Sequence, residues 1–357
     1  MNRLQHVRAL DGVRGVAVVL IVVHHIVVRA ADPPFSGWAG VDLFFALSGF
    51  LITQSILTSG GAGGIGLGEF YRRRFWRLAP ALALFLAIAV VVWPEDPNPK
   101  SALAAATQWL NALQGYGEPP FSPHLAHLWS ISAEVQFYVV WALVLFALVR
   151  LRVPRVLVLA LLVGAFAGSQ ALRVAIVGDG AFVWNRPYFA PDTRSAALAA
   201  GCIVGLAFAW GWLDGRFARW TLAVATVPAV TALWWGTTFH HLDERLYTVA
   251  MPLAALGGAG LVAAAAVRAP SPVRLLCELQ PLPFLGKISY SLYLWHLPLF
   301  EQVAEWRGAD DLAGIATIGV PMALAAATAS HYLVERPLLR GVRGLRARRA
   351  ERVPQVA

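Results

Sequence analysis

The sequence is built from apolar runs of about 17–25 residues, each long enough to cross a bilayer as a helix. We expect ten membrane-spanning helices, near 10–30, 38–58, 77–93, 128–149, 155–177, 194–213, 218–236, 247–267, 284–305 and 312–335. With 58% hydrophobic and only 14% charged residues among 357, little of the chain is left for a soluble domain. The sequence therefore predicts an all-α polytopic membrane protein, with a transmembrane domain over 1–340 and a basic tail without fixed structure over 341–357.

The basic residues lie unequally on the two sides of these predicted helices. If the N-terminus is cytoplasmic, most of the 29 lysine and arginine residues fall in cytoplasmic segments. This bias predicts that both termini are cytoplasmic. The net charge of +9 follows from the bias and the tail, so it indicates contact with an anionic leaflet and not with a nucleic acid.

Ionisable residues interrupt the first apolar run, DGVRGVAVVLIVVHHIVV, although a charge at mid-bilayer depth costs roughly 2.5–3.5 kcal/mol. Arg14 and His25 are eleven residues apart, which places both on one helix face about 16 Å apart along the axis. Asp11 can pair with Arg14 one turn away. The run lacks a small-residue cleavage site, so we expect a retained helix and not a signal peptide. Two interpretations remain: a stripe for a long ligand with an anionic head, or polar residues satisfied by neighbouring helices.

A cluster of arginines precedes the third predicted span, in the segment EFYRRRFWRLAP. A helix there would gather the guanidiniums of Arg73, Arg74 and Arg77 on one side, since these residues are three and four positions apart. Planar guanidiniums are preferred partners of phosphate oxygens. The cluster is therefore either a phosphate-binding site or a juxtamembrane topology signal.

Glu134 enters the fourth predicted span from the outer side, about 9–10 Å below the start of its helix. His25 lies in the same outer half when it is counted from the inner end of its own helix. A carboxylate and an imidazole at similar depth are the parts of a general-base pair. We therefore expect Glu134 to orient His25 if the two helices are neighbours.

Further polar residues lie near the outer ends of other predicted spans. Asp42 follows one turn after the start of the second span, and its role is open between function and structure. Asp192 and Arg194 open the sixth span beside the aromatic residues Trp184 and Tyr188. Carboxylate, guanidinium and rings together predict a sugar-binding mouth, and an interfacial belt with a local salt bridge is the alternative.

A second polar stripe lies in the ninth predicted span. Ser289, Tyr293 and His296 share one face by steps of four and three residues. No histidine pair here has a third ligand at metal-binding spacing, and Cys202 and Cys277 form no recognisable motif. We therefore expect no metal and no covalent cysteine chemistry.

Taken in order, the motifs resemble those of the membrane-bound acyltransferase-3 family, which is typified by O-acetyltransferases of bacterial surface polysaccharides. The resemblance covers essentially the whole chain. It is carried by Arg14-x10-His25, GVDLFFALSGFLIT, RRRFWRLAP, HLWSISAEVQFYVVW, PDTRSAALAAG, GKISYSLYLWH and HYLVERP. It implies a multi-pass protein of the bacterial inner membrane, an acyl-CoA donor on the cytoplasmic side, and acylation of a carbohydrate hydroxyl at the cell envelope. Many relatives add an extracytoplasmic esterase-like domain, for which we expect no counterpart in this sequence.

Carried over by position, the family's first-helix arginine and histidine fall on Arg14 and His25, its paired arginines on Arg74 and Arg77, and its glutamate on Glu134. We therefore expect acetyl-CoA or another acyl-CoA to bind at these arginines and Arg73, and His25, polarised by Glu134, to act as general base. The side chains expected to contact the acceptor are Asp42, Asp192, Arg194, Tyr293 and His296.

Other functions stay open from the sequence. Some relatives acylate macrolides, so a small-molecule acceptor is an alternative to a carbohydrate. Intramembrane charges also mark transport pathways, so an exporter of an acylated envelope precursor is the competing class, although no inverted repeat with paired broken helices is found. A scaffold for envelope assembly is the third class.

Overall fold

The computed structural model describes residues 6–30, 37–59, 66–94, 99–117, 122–179, 184–214, 239, 242–267 and 271–341, and every regular element in these ranges is helical. The helices are α1 (Arg8–Val27), α2 (Trp38–Thr58), α3 (Leu67–Val92), α4 (Pro99–Ala106), α5 (Leu110–Tyr116), α6 (Trp129–Arg150), α7 (Arg155–Gly178), α8 (Asn185–Phe189), α9 (Pro191–Ala209), α10 (Leu246–Ala266), α11 (Pro272–Glu278), α12 (Leu282–Arg307) and α13 (Leu312–Gly341). Short π-helical turns open α10 and interrupt α13.

Eight helical segments of the described residues are long and apolar enough to cross a membrane. They are α1, α2, α3, α6, α7, α8 with α9, α10 and α13. The predicted all-α, multi-pass architecture is therefore confirmed. Of the ten predicted spans, the one near 218–236 lies outside the described residues, as does the predicted tail from 342 onward. The span near 284–305 forms α12, a 26-residue helix whose polar residues, among them Ser289, His296 and Glu301, lower its hydropathy.

The third span begins earlier than the apolar run predicts. The run predicts 77–93, whereas α3 begins at Leu67 and includes the whole arginine cluster. The arginines at 72–77 lower the hydropathy of this segment, so the apolar run begins only after them. The helix still includes them, because its backbone hydrogen bonds do not depend on side-chain polarity. The segment that follows α3 holds two short helices, α4 and α5, which are separated at Gln108, where φ is 63°.

Two glycines bring α1 and α12 into backbone contact. A Cβ added to Gly15 would lie 2.2 Å from the carbonyl oxygen of Leu282, and one added to Gly286 would lie 1.7 Å from that of Asp11. Only residues without a side chain allow such an approach. The close packing holds the two helices side by side, so that His25 of α1 and His296 of α12 come within hydrogen-bond distance.

The bundle has two chemically distinct ends. Arg14 lies near the start of α1, and Arg74 and Arg77 lie near the start of α3, so the three mark what we call the arginine end. His25, near the end of α1, and His127, just before α6, mark the opposite end, which we call the histidine end. Helices α2 and α9 are the most buried spans, while α3 and α7 lie toward the outside.

Candidate functional site

The arginine end contains a cavity of about 650 Å³. Its cationic lining residues are Arg14, Arg73, Arg74, Arg77 and Lys287, and its acidic ones are Asp11 and Glu335. The predicted gathering of three guanidiniums from α3 on one side is therefore confirmed. Cations outnumber carboxylates on the wall, so the cavity suits an anionic ligand.

The guanidiniums at this end are held in different ways. Arg14 lies 3.3 Å from Asp11, as the one-turn spacing predicted, and Asp11 lies 2.8 Å from His6. Arg74 is buried over the rings of Phe70 and Tyr138, at 5.8 and 5.9 Å from their centroids. Arg77 has no hydrogen-bond or ion-pair partner among the described residues, which leaves its five donors free for a ligand.

A smaller chamber of about 80 Å³ lies between the two ends and shares Arg14, Arg74 and Arg77 with the arginine-end cavity. Glu134 lines this middle chamber and accepts a hydrogen bond from the Ser48 hydroxyl at 2.8 Å. The structure therefore does not bring Glu134 to His25, because Glu134 lies in the chamber of Arg14 and Arg74, whereas His25 lines the histidine-end cavity. The expected similar depth of the two side chains was wrong, since counting along each helix does not fix how far one helix is displaced relative to another. Glu134 faces α2 and the arginines instead.

Tyr293 separates the middle chamber from the histidine end. Its ring lines both cavities, and its hydroxyl donates to the carbonyl oxygen of His127 at 2.6 Å. The same hydroxyl lies 2.6 Å from Ser130 Oγ, which donates to it because the phenol has a single proton. Ile21 and Val41 also line both cavities, so these side chains form the partition with Tyr293.

The histidine end contains a cavity of about 270 Å³ with a mostly aromatic wall. Its rings belong to Trp38, Trp129, Trp184, Tyr188 and Phe189, and most neighbouring pairs meet edge to face or tilted. His25, His127 and Glu301 add polar atoms to the wall. Such a cavity can pack against the apolar face of a sugar ring while a few polar groups orient its hydroxyls.

His25 presents one ring nitrogen to this cavity. Its Nδ1 lies 3.0 Å from the carbonyl oxygen of Ile21 and 3.1 Å from Nε2 of His296, whereas Nε2 of His25 has no partner among the described residues. Arg14, Ile21 and His25 line successive cavities, which confirms that one face of α1 runs along the site.

His127 is a residue of this site that was not expected from the sequence. This residue is buried at the cavity wall, in the 3-10 turn that leads into α6, and its Nε2 donates to the carbonyl oxygen of Leu294 at 3.1 Å. Its Nδ1 is buried without a described partner and can only accept. The single sequence signal was its position at the start of the motif HLWSISAE.

Asp42 and Arg194 form a buried ion pair 3.3 Å apart, with side-chain exposures of 5% and 1%. The Arg194 guanidinium lies over the rings of Phe45, Trp129 and Tyr188. Neither charged residue lines any of the three cavities described above. The pair instead supports Trp129 and Tyr188 in the cavity wall from behind.

Asp192 lies apart from Arg194, because residues two positions apart point to opposite sides of a helix. Its carboxylate accepts two hydrogen bonds from Arg186, at 2.6 and 2.7 Å, and one from the Tyr116 hydroxyl. Partial burial, together with this hydrogen bond, raises the pKa of Tyr116. The predicted joining of Asp192 and Arg194 in one sugar-binding mouth is therefore wrong, and the local salt bridge is made with Arg186.

Within the described part of the chain, no three His, Cys, Asp or Glu side chains are arranged to hold a metal ion. The site is instead a series of three cavities that leads from guanidiniums to an imidazole. It can bind an anionic group at one end and perform proton transfer at the other.

Comparison with known proteins gives a family match over most of the chain. The family model described as "Acyltransferase domain" (Acyl_transf_3) matches residues 7–332. The sequence is 29% identical to the peptidoglycan O-acetyltransferase OatA of Listeria monocytogenes over 319 residues, which is 83% of this chain and 49% of that protein. It is also 29% identical to the O-acetyltransferase OatA of Staphylococcus aureus over 324 residues, or 85% of this chain and 52% of the relative. The chain thus spans about half the length of these relatives. No solved structure matches.

Proposed function

Because the chain belongs to the acyltransferase-3 family, we propose that it is a membrane-bound O-acyltransferase. It moves an acyl group, with acetyl as the first candidate, from acyl-CoA to a hydroxyl of a carbohydrate of the bacterial cell envelope. The observation that carries the proposal is the series of cavities: the middle chamber shares arginines with one neighbour and Ile21, Val41 and Tyr293 with the other. The names of the relatives support acetyl and envelope carbohydrate as the substrate classes.

The donor binds from the arginine end in this proposal. Arg73, Arg74, Arg77 and Arg14 contact the phosphates of acyl-CoA, whose charge needs several fixed cations. The pantetheine arm passes through the middle chamber, where the carboxylate of Glu134 is placed to accept from an amide N–H of the arm. The positive-inside bias makes the arginine end the cytoplasmic one, which is where acyl-CoA is made available.

The acceptor binds in the histidine-end cavity. Its sugar ring packs on Trp38, Trp184 and Tyr188, and the reacting hydroxyl donates to Nε2 of His25, the ring nitrogen that has no partner among the described residues. Tyr293 contributes a cavity wall. Of the other expected acceptor contacts, Asp42 and Arg194 act by supporting the wall, and Asp192 lies outside the cavity.

The transfer step is general-base catalysis. The hydroxyl oxygen attacks the thioester carbonyl while its proton moves to Nε2 of His25. The C–S bond then breaks, the leaving thiolate of coenzyme A takes the proton from His25, and the ester and free thiol remain. The thioester reaches this hydroxyl past the partition of Ile21, Val41 and Tyr293. Holding donor and acceptor in the adjoining cavities lowers the entropy cost of bringing them together.

Purified protein in nanodiscs tests this function directly. Acetyl-CoA is mixed with the disaccharide of N-acetylglucosamine and N-acetylmuramic acid, free thiol is followed with a thiol reagent, and the sugar is analysed by mass spectrometry. We expect acceptor-dependent thiol release and a sugar heavier by one acetyl group. Thiol release with a macrolide but not with the disaccharide would support the small-molecule alternative.

The competing classes give other results in the same experiment. An exporter releases no thiol, but moves an acylated sugar across a sealed proteoliposome. A scaffold does neither. Either result would overturn the proposed acyltransferase.

A further inference from the structure

His296 lies behind His25 and outside the three cavities. Its Nε2 is 3.1 Å from Nδ1 of His25, and the two ring centroids are 4.9 Å apart. The side chain is fully buried and lines neither the middle chamber nor the cavities at the two ends. An acceptor in the histidine-end cavity therefore touches His25 and not His296, contrary to the expectation that His296 binds substrate.

The hydrogen-bond partners of the two rings fix where their protons lie. Nδ1 of His296 is 2.8 Å from the carbonyl oxygen of Tyr293 and 3.1 Å from that of Leu292, so it must donate. A neutral imidazole has one N–H, which makes Nε2 of His296 an acceptor. Its partner, Nδ1 of His25, therefore donates, and the Ile21 carbonyl at 3.0 Å requires the same. Both contacts leave the lone pair of His25 on Nε2, at the cavity.

Three other polar residues near His25 make no hydrogen bond to its ring. Glu301, which lines the same cavity, is 2.5 Å from Nη2 of Arg29, so its charge is paired there. Arg29 donates to the backbone carbonyl of His25 and not to its ring. The ring of His24 meets that of His25 edge to face at 5.1 Å. Among the described residues, His296 is the one whose side-chain nitrogen lies within hydrogen-bond distance of the His25 ring.

We infer that His296 is a positioning residue that holds His25 in the tautomer and orientation needed for general-base catalysis, an inference that rests on the function proposed above. When Nε2 of His25 takes the hydroxyl proton, the Nδ1–H bond to His296 becomes charge-assisted and stabilises the imidazolium. The proton then leaves from Nε2 to the thiolate, so His296 neither gains nor loses one. His296 has the place of the carboxylate in a Ser-His-Asp triad. An imidazole fits this place inside a membrane because it adds no buried anion.

Two substitutions separate this role from a packing role. His296→Leu fills the space but cannot accept a hydrogen bond, whereas the Oε1 atom of His296→Gln can accept from Nδ1 of His25. We expect His296→Leu to lower kcat for acetyl transfer by at least about 100-fold with KM for acetyl-CoA unchanged, since a misplaced tautomer in a triad costs up to about 10⁴-fold. His296→Gln should recover at least about tenfold of that loss.

The matched control is His124→Gln, a buried histidine at the same end that stacks on Trp93 and lines none of the three cavities. It should keep the wild-type kcat. A wild-type kcat in His296→Leu, or a His296→Gln variant no more active than His296→Leu, overturns the inference. If His296→Leu does not fold, His296→Gln is compared with His296→Asn, whose shorter amide does not reach His25; equal kcat values then overturn it.

Failure of the inference and failure of the proposed function look different. If the wild-type protein releases no thiol from acetyl-CoA with any acceptor, both fall together. If the wild type is active and the His296 variants match it, only the role of His296 is lost.

Discussion

The two ends of the cavity series differ in chemistry as well as in size. The arginine-end cavity, of about 650 Å³, is lined by guanidiniums, and the histidine-end cavity, of about 270 Å³, is lined by aromatic rings and imidazoles. An anionic ligand is bound most strongly by cationic side chains. An uncharged sugar hydroxyl instead needs a cavity of complementary shape and a nearby base. In the proposed function, donor binding and chemistry are therefore separated in space, so substitutions at the two ends should change different kinetic constants.

Removing the base should have the largest effect. We expect His25→Ala to lower kcat by about 10²–10⁴-fold, the range that a positioned general base contributes. KM for acetyl-CoA should stay at the wild-type value, because the guanidiniums proposed to hold the donor lie at the other end. Initial rates of thiol release at several acetyl-CoA concentrations give both constants. An increase in KM with unchanged kcat would contradict the separation of the two ends.

Breaking the buried ion pair of Asp42 and Arg194 should have the next largest effect, a loss of folding stability. Asp42→Ala leaves Arg194 as an unpaired buried charge, which costs about 3–5 kcal/mol. Asp192→Ala is the matched control, because its partly exposed pair with Arg186 is worth less than about 1 kcal/mol. Thermal unfolding in detergent compares the two. The double variant Asp42→Ala with Arg194→Met should recover part of the loss; if it is less stable than Asp42→Ala, the pairing is wrong.

Replacing an arginine at the arginine end by a neutral residue should weaken donor binding. We expect Arg77→Gln to raise KM for acetyl-CoA by about tenfold or more, since a hydrogen bond to a charged group contributes about 1.5–3 kcal/mol. The kcat at saturating donor should not change. Arg72→Gln is the control, because Arg72 pairs with Glu69 and lines none of the three cavities. Equal changes in both variants would mean that only the overall charge of the segment matters.

The smallest expected effect is at the aromatic wall. Trp184→Leu should raise KM for the acceptor by about threefold to tenfold, because one aromatic contact contributes about 0.5–1.5 kcal/mol. KM for acetyl-CoA should not move. Trp306→Leu, an exposed tryptophan outside the cavities, is the control. If Trp184→Leu changes the donor constant instead, the histidine-end cavity is not the acceptor site.

The helices and one face of the site could be predicted from the sequence because they depend on local periodicity. The second span was expected at 38–58 and runs from Trp38 to Thr58. The stripe from Arg14 to His25 follows from the 3.6-residue turn alone. The arginine cluster likewise needs only a helix to bring its guanidiniums together. These features are fixed within a single element.

The contacts between elements could not be predicted, because they depend on which helices pack together and how each is rotated. His25 meets His296 because Gly15 and Gly286 let two backbones touch, and nothing in the sequence distinguishes those two from the other glycines among its 31. Glu134 was expected at the depth of His25, but it bonds to Ser48 and lies in the chamber of Arg14 and Arg74. The position of a residue along its own helix is encoded locally, whereas its neighbours are set by how the helices pack.

The phenol of Tyr293, tied to the His127 carbonyl and to Ser130, has a consequence for the energetics of the cell. A bacterial membrane stores energy as an ion gradient, and any continuous water path through a protein would dissipate it. With this ring between the cavities, the narrow chamber below it holds only about 80 Å³. In the proposed function the two end cavities face opposite sides of the membrane, and Tyr293 then insulates them electrically, so that acyl transfer does not discharge the ion gradient.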